Sequence, residues 1–135
     1  MVGNIGDPYT SRVLEMTEDS VTVAEVSSFQ LETIMDFRPD VSAILNITPD
    51  HLNRHGTMEN YIRIKECITL NQTEDDSVVL NYDDPVLREF GQDPELKPKV
   101  TWFSSREKLA DGFCMSGDNI VYCQKGREDH PGECP

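Results

Sequence analysis

Long apolar runs are missing from this sequence. None of its hydrophobic stretches approaches the ~20 residues that a helix needs to cross a bilayer, and its first residues have neither the charged start nor the apolar centre of a signal peptide. Basic residues are also few, with 12 Lys and Arg against 25 Asp and Glu, for a net charge of −13. Nucleic acids and anionic membranes recruit Lys and Arg, so we predict no nucleic-acid partner. The missing apolar run and the missing signal peptide predict a cytoplasmic protein with no membrane insertion.

The four cysteines form no C-x-x-C pair, which argues against a zinc site. Cys114 and Cys123 flank the segment MSGDNIVY, a candidate hairpin, so a disulfide between them is conceivable. Thiols that stay reduced in the cytoplasm are the alternative, and the one that we favour.

What the sequence does contain is an alternation of apolar strands and amphipathic helices. Its 135 residues, 37% of them hydrophobic, are enough for one globular domain with its own core. Runs of β-branched residues indicate the strands, and apolar residues at helical spacing indicate the helices. The predicted strands are 21–26, 41–47, 77–81 and 99–104, and the predicted helices are 27–37, 57–72 and 83–91. Nearly continuous apolar strands in this alternation predict an α/β fold with a parallel sheet covered on both faces.

The pattern changes at both ends of the chain. Residues 112–123 predict a β-hairpin around the turn Gly117-Asp118-Asn119. Residues 124–135 have no core-forming pattern, so we expect a flexible or truncated tail. The turn residues VGNIGDP near the start follow no full strand, so we expect residues 1–123 to be part of a larger domain.

The loop NITPDHLNRHG (46–56) is dense in groups that bind metals or phosphates. Ligands of open parallel sheets bind beyond the carboxyl ends of the strands, so Glu25, Asp50 and His51 would share an edge if their strands belong to one sheet. There Glu25 and His51 could bind a divalent cation, with Asp50 orienting the imidazole. The alternative is a solvated Glu25 and a His51 that only caps the next segment.

Lys65 lies in the middle of the apolar face of the predicted helix 57–72. A lysine there either extends its amine to the edge of the apolar surface or is placed for function. Because the helix follows the Asp-His loop, we expect its first turns at the same edge of the sheet. Desolvation favours the neutral amine, and a neutral amine can react with carbon dioxide to give a carbamate, which is an anionic metal ligand.

Polar groups around Glu25 form a second candidate site. The glycine-flanked turn GNIG would let the backbone and the Asn4 amide approach a ligand closely. Ser27 and Gln30, in SSFQLE, offer a hydroxyl and an amide suited to sugar or phosphate oxygens. A tight turn for GNIG and helix capping for Ser27 are the alternatives.

Together these segments resemble the central domain of the Mur ligases. GNIG, AEVSSFQLE, NITPDHLNRHGTMENYIRIK and VLNYDDP occur in the order and approximate spacing of that domain. SSFQLE is similar to the branch of the family that adds D-glutamate, whereas the branch that adds the third peptide residue has a segment closer to SSHAL. The resemblance implies a three-layer, mostly parallel, doubly wound sheet of the P-loop-like type.

The resemblance also implies an ATP-dependent amide ligase of peptidoglycan synthesis, and with it a role in cell-wall biogenesis, cell shape and cell division. ATP would phosphorylate the carboxylate of UDP-N-acetylmuramoyl-L-alanine, and the amine of D-glutamate would attack the acyl phosphate. Glu25 would bind the Mg²⁺ of the ATP phosphates, and His51 with a carbamylated Lys65 would bind a second Mg²⁺. The residues expected to contact the UDP-sugar substrate are Asn4, Ser27, Gln30 and His51.

One motif of the family is missing, because no G-x-x-x-x-G-K-[ST] phosphate loop occurs in the 135 residues. We therefore expect the chain to be inactive on its own. Two alternatives stay open: another Mur ligase or a folylpolyglutamate synthase-like ligase, and a non-catalytic binding module of the same fold. We expect the complete enzyme to be a monomer and the chain itself to self-associate through an exposed sheet edge.

Overall fold

The computed structural model describes residues 2–124 and the backbone of 127–129. The chain divides into two compact units, Met1–Met35 and Asp36–Pro135. The predicted tail, 124–135, falls mostly outside the described residues. No described helix is long and apolar enough to cross a membrane.

The first unit contains little regular structure. Its elements are strands β1 (Val2–Gly3) and β2 (Ala24–Glu25), two 3-10 turns (Tyr9–Ser11 and Val13–Glu15) and helix α1 (Ser28–Leu31). β1 and β2 pair in parallel as a two-stranded sheet. The predicted strand 21–26 and helix 27–37 were therefore too long. The apolar pattern suggested burial, yet Val21 is 92% exposed, so no packing extends the strand.

The second unit is built on a six-stranded sheet. Its strands are β3 (Val41–Ile44), β4 (Ser77–Asn81), β5 (Lys99–Ser104), β6 (Gly112–Ser116), β7 (Asn119–Gln124) and β8 (Arg127–Asp129). The order in the sheet follows the order in the chain; β3 to β6 pair in parallel, and β6 to β8 pair antiparallel. The predicted α/β fold and C-terminal hairpin are confirmed. The reversal of strand order that a doubly wound sheet contains does not occur among the described strands.

Three helices connect the parallel strands: α2 (Leu52–His55), α3 (Met58–Glu66) and α4 (Pro85–Phe90). A 3-10 turn, Cys67–Thr69, extends α3. Thr57 caps α3 by accepting a hydrogen bond from the Asn60 N–H at 3.2 Å. Helix α2 was not predicted, because four residues are too few to show a helical period.

The core of the second unit lies on one face of the sheet. Its buried members are Ile44, Ile47, Tyr61, Val78, Leu80 and Leu87, and side chains of α3 and α4 pack against them. Burial alternates along β3, with Ser42 and Ile44 inside and Val41 and Ala43 exposed. The strand is thus buried on one face only, rather than on both as predicted, because α3 and α4 supply apolar side chains to that face.

A buried polar network closes the amino ends of β3 and β4. The Gln72 amide donates to the carbonyls of Pro39 and Ser77 at 2.9 and 3.0 Å, and its oxygen accepts from the Ser42 hydroxyl at 2.9 Å. Gln72 is almost fully buried. Its polar atoms are hydrogen-bonded, as burial of an amide requires.

Asp76 completes this network. Its carboxylate accepts two hydrogen bonds from the Arg38 guanidinium, at 2.8 and 3.1 Å, and one from the Thr73 N–H at 2.7 Å. The Arg38 and Thr73 contacts lower the pKa of Asp76 to about 2, against an ordinary value of 3.8. The amino edge of the sheet is therefore held together by groups that are buried or paired.

Candidate functional site

The loop that follows β3 is anchored to the carboxyl end of β4. The Asn81 amide donates to the Leu45 carbonyl at 3.0 Å, and the Ile47 N–H donates to the Asp84 carboxylate at 2.8 Å. Ile47 is buried in the core. The first part of the segment 46–56 is thus fixed to the sheet before the chain reaches Asp50.

The Asp84 carboxylate accepts two sets of hydrogen bonds, one from α4 and one from the loop after β3. One carboxylate oxygen caps α4 by accepting from the N–H groups of Val86 and Leu87 at 3.0 and 3.3 Å, with Pro85 in the first turn. The other oxygen accepts from Ile47. The same side chain therefore fixes both the start of α4 and the loop after β3.

Asp50 and His51 are in contact at the carboxyl edge. The His51 N–H donates to Asp50 Oδ1 at 2.8 Å, and His51 Nε2 lies 3.4 Å from Asp50 Oδ2. His51 has φ 51°, in the left-handed region, and is the residue before α2. Both side chains are exposed. The imidazole is thus presented to solvent with a carboxylate beside it.

His55, at the end of α2, has a different environment. It is buried, and its ring lies 5.3 Å from the Tyr61 ring. Its carbonyl accepts from the Asn60 amide at 2.8 Å, and Gly56 ends the helix with φ 80°. These contacts fasten α2 to α3. Sequence analysis assigned a ligand role to His51 and none to His55, but it did not predict that His55 is buried.

Lys65 lies one turn beyond Tyr61 on α3. Its Nζ atom is 5.5 Å from the centre of the Tyr61 ring, within the range of a cation–π interaction. The residue is half-buried, and its neighbour Ile64 is buried. Lys65 and His51 are therefore linked through Tyr61, His55 and α2.

A further polar contact joins β4 to β5 at this edge. Asp83 accepts from the Ser104 hydroxyl at 2.6 Å and from the Ser105 N–H and hydroxyl at 2.8 and 3.0 Å. Burial disfavours the charged form of Asp83, but these hydrogen bonds, with Arg106 nearby, outweigh it and hold the pKa of the carboxyl below its usual value. Nothing in the sequence NYDDP pointed to a contact with these serines.

Glu25 lies in the first unit. Its side chain is exposed, and its carbonyl accepts from the Asn4 N–H at 2.8 Å. Gly3 has φ 133° and packs directly against the Glu25 backbone, where a Cβ atom would collide with it. The strand that ends at Glu25 and the strand before His51 belong to different sheets. Strand pairing therefore does not bring Glu25 to His51, as it would have if both strands shared one sheet.

Ser27 and Gln30 form a capping box at the start of α1. The Gln30 N–H donates to Ser27 Oγ at 3.4 Å, and Gln30 Oε1 accepts from the Ser27 N–H and hydroxyl at 2.9 and 3.0 Å. These contacts satisfy backbone groups at the helix start. The capping role offered as the alternative for Ser27 is present in the structure.

The donors at the carboxyl edge do not form a complete metal site. Among residues 2–124, no group of three or more His, Cys, Asp or Glu side chains is arranged to hold a metal ion. Asp50 and His51 together offer carboxylate oxygens and one nitrogen, whereas Mg²⁺ takes six ligands, mostly oxygens. A cation here would need further ligands from phosphate, water or a modified Lys65.

A groove of about 620 Å³ lies between α3 and α4, away from these residues. Its lining is rich in acids and includes Glu59, Glu66, Glu89 and Asp93. Burial, together with the charges of Asp93 and Glu89, raises the pKa of Glu66. No residue predicted for the site lines this groove.

Comparison with known proteins identifies the family. The family model described as the Mur ligase middle domain matches residues 3–128. Proteins named UDP-N-acetylmuramoylalanine–D-glutamate ligase are similar to the chain: that of Lachnospira eligens is 57% identical over 90% of the chain, and that of Clostridioides difficile is 49% identical over 90%. The chain spans 27% and 26% of their lengths.

A solved structure gives the same result for the fold. The structure of UDP-N-acetylmuramoyl-L-alanyl-D-glutamate–2,6-diaminopimelate ligase superposes with a TM-score of 0.53 at 24% identity. The match covers 76% of the chain and 24% of that structure. From the matched family model and the close relatives, the chain belongs to the Mur ligase family and corresponds to its middle domain.

Proposed function

We propose that the chain is the middle-domain part of an ATP-dependent ligase that adds D-glutamate to UDP-N-acetylmuramoyl-L-alanine in peptidoglycan synthesis. The observation that carries this proposal is the identity of 57% and 55% to relatives that bear that name, over 90% and 95% of the chain. The chain covers little more than a quarter of those relatives, so the remaining contacts to ATP and substrates come from elsewhere in the enzyme. Such an enzyme acts in the cytoplasm, on the cell wall precursor that supports cell shape and division.

His51 and Asp50 act at the reacting end of the substrates. The reaction brings ATP and a carboxylate together, so negative charge must be offset where the phosphoryl group is transferred. Asp50 orients the imidazole through its contact at 3.4 Å. The anchoring of the loop through Asp84 and Asn81 holds this pair in place before the substrate binds.

Lys65 serves as an anionic ligand after carbamylation. The neutral amine adds to the carbon of carbon dioxide and loses one proton, which leaves a carbamate with a single negative charge. Lys65 is half-buried on α3, with its Nζ atom 5.5 Å from the centre of the Tyr61 ring. His51 and this carbamate would hold one Mg²⁺, and Glu25 another, with phosphate oxygens and water as the other ligands. When bound, Mg²⁺ would offset the charge on the transferring phosphoryl group.

Asn4, Ser27 and Gln30 bind the UDP-sugar substrate in this proposal. The capping box uses Gln30 Oε1, so Nε2 is the atom that we assign to a substrate oxygen. The Asn4 backbone is tied to Glu25, and its exposed side chain is the part that we assign to the substrate. The Asn4 and Gln30 roles use atoms outside the capping bonds, whereas the Ser27 hydroxyl would have to exchange its bond to Gln30 Oε1 for one to the substrate.

The test is Lys65→Ala in a complete ligase that contains this domain. We expect kcat to fall by about 10²–10³-fold or more, as when a group that stabilises the transition state is lost, with partial recovery on adding a short-chain carboxylate. Glu59→Gln, on the exposed side of the same helix, is the matched control and should keep the wild-type rate. A wild-type rate for Lys65→Ala would refute the carbamate.

Amino-acid specificity separates this ligase from other members of the family. The complete enzyme should release phosphate from ATP with D-glutamate and UDP-N-acetylmuramoyl-L-alanine, and not with a diamino acid. Phosphate release with a diamino acid and not with D-glutamate would assign the chain to another branch of the family. The 135-residue chain alone should release none, since it has no phosphate loop.

Self-association of the isolated chain is also part of the proposal. β3 is an edge strand with exposed Val41 and Ala43, and such an edge can pair with another chain. Size-exclusion chromatography with light scattering should give a mass that rises with concentration, whereas the complete ligase should stay monomeric. A concentration-independent monomer mass for the chain would contradict this expectation.

A further inference from the structure

We infer that Cys114 and Cys123 form a site of reversible oxidation by small peroxides, which joins β6 to β7 through a disulfide. This inference is independent of the proposed ligase reaction. The two sulfur atoms lie 3.3 Å apart in hydrogen-bonding contact. A disulfide bond requires about 2.05 Å, so the thiols must approach by only about 1.3 Å.

The position of the pair in the hairpin fits such a bond. Cys114 pairs with Val121 and Cys123 pairs with Gly112, so the cysteines are diagonal neighbours on the same face of adjacent antiparallel strands. Cysteine side chains are short, but the sulfur atoms of this diagonal pair lie 3.3 Å apart, so the two side chains meet on that face. The resulting ring would enclose the turn at Gly117 and fix the register of the hairpin.

The surroundings of the thiols favour a small oxidant. Cys114 is 2% exposed and Cys123 is 1% exposed, in a cluster with Leu109 and Val121. A bulky disulfide such as oxidised glutathione cannot reach sulfur atoms that are this deeply buried without extensive unfolding. Hydrogen peroxide needs only a brief local opening.

The limited pairing of the hairpin to the rest of the sheet favours that opening. β6 pairs with β5 over two residues, Phe113 and Cys114, and the far end of the hairpin at Ile120 is exposed. A segment with little pairing to the rest of the sheet opens more readily than the central strands. Opening also lets the thiolate form in water, which is the reactive species.

The chemistry balances in two steps. One thiolate attacks the peroxide O–O bond, which gives a sulfenic acid and hydroxide; the second thiol then attacks that sulfur and releases water. Overall, two thiols and one hydrogen peroxide give one disulfide and two waters. The sulfur atoms are oxidised and the peroxide is reduced. A dithiol reductant reverses the change.

The experiment uses the full chain with Cys67→Ser and Cys134→Ser, which leaves only this pair. After hydrogen peroxide treatment, denaturation and thiol blocking, peptide mass spectrometry should find Cys114 linked to Cys123 within one chain. We expect the Tm to rise by about 5–10 °C and to return after reduction. Fluorescence of Trp102, the single tryptophan, should fall on oxidation because it packs against this cluster.

Cys114→Ala and Cys123→Ala in the same background are the controls, and neither should gain thermal stability from peroxide. Wild-type chain is mapped in parallel, so the result does not depend on the folding of any variant. Cys67, half-buried and bonded to the Arg63 carbonyl, reports that the oxidant was active. If Cys67 is oxidised while Cys114 and Cys123 remain thiols or become separate sulfonic acids, the inference is wrong.

Discussion

At the amino edge of the sheet the side chain of Asp76 is 4% exposed, whereas at the carboxyl edge those of His51 and Asp50 are 49% and 61% exposed. Both edges are rich in polar residues. At the amino edge, Gln72, Asp76 and their partners satisfy each other and the backbone. At the carboxyl edge, the anchoring residues Asn81 and Asp84 are bonded, but the proposed site residues His51 and Asp50 face solvent.

The two edges differ in whether their polar side chains are buried and paired or exposed to solvent. Buried polar groups stabilise a fold only when every partner is in place, and the amino edge meets that condition. The carboxyl edge keeps charged groups in water, where they contribute little to folding but remain available to a ligand. Substitutions at the first edge should therefore act on stability, and those at the second on function.

Gln72→Ala should give the largest loss of stability. It removes a buried amide and leaves the Ser42 hydroxyl and the Pro39 and Ser77 carbonyls without that partner, at a cost of about 2–4 kcal/mol. Urea unfolding followed by circular dichroism measures the change. The matched control at the carboxyl edge is Asn53→Ala, exposed in α2, for which we expect a change within about 0.5 kcal/mol. Equal effects of the two substitutions would remove the distinction between the edges.

The pH dependence of folding should follow Asp76. Its pKa is about 2 in the folded chain against 3.8 as its ordinary value, so the unfolded state binds more protons between these values. The free energy of unfolding should therefore fall as the pH falls through that window, and Asp76→Asn should flatten the curve there.

At the carboxyl edge, the pH dependence of the free energy of unfolding is measured with Asp83→Asn. The pKa of Asp83 is also lowered, although burial opposes its charge, so this variant should flatten the curve less. Urea midpoints collected from pH 5 down to about 2 distinguish the two variants. A full wild-type slope in Asp76→Asn would show that Arg38 and Thr73 do not hold the carboxylate as described.

Asp84→Ala is the expected exception at the carboxyl edge, because Asp84 anchors rather than reacts. Loss of the α4 cap and of the Ile47 bond should destabilise the chain by about 1–2 kcal/mol. Hydrogen exchange at the Ile47 amide should speed up in Asp84→Ala and in Asp84→Asn, while the α4 cap persists in Asp84→Asn. Unchanged exchange at Ile47 would mean that the loop is held by other contacts.

The sequence predicted the central strands best. The predicted strands 77–81 and 99–104 match β4 and β5 at both ends, because each pairs on two sides and uses its whole apolar run. The predicted strand 21–26 keeps two residues, since Val21 and Val23 find no cover. Local pattern is therefore a good guide where tertiary packing agrees with it, and a poor one elsewhere.

The roles of the predicted site residues stay predictions, and the contacts around them could not be predicted from the sequence. Asp50, His51 and Lys65 were chosen from residue type and spacing. The bond between Asp84 and Ile47 joins residues 37 positions apart, and that between Arg38 and Asp76 spans 38. Single-sequence periodicity carries no information on such distances. Only the folded sheet shows which loop each carboxylate holds.

Substitutions of His51 should give the smallest changes in stability, and they test directly whether this residue acts on function and not on stability. Its φ of 51° lies in the left-handed region, which costs an L-residue about 1 kcal/mol and suits glycine. We expect His51→Gly to change the stability of the chain by at most about 0.5 kcal/mol, as relief of strain offsets the added freedom of the unfolded chain. His51→Val, with a β-branched side chain, should destabilise it by about 1 kcal/mol. In the complete ligase both variants should lose turnover to a similar extent, because both lack the imidazole. The contrary result is a His51→Gly enzyme nearly as active as wild type, with turnover that follows stability. His51 would then be an anchoring residue, and the two edges would differ only in how exposed their polar side chains are.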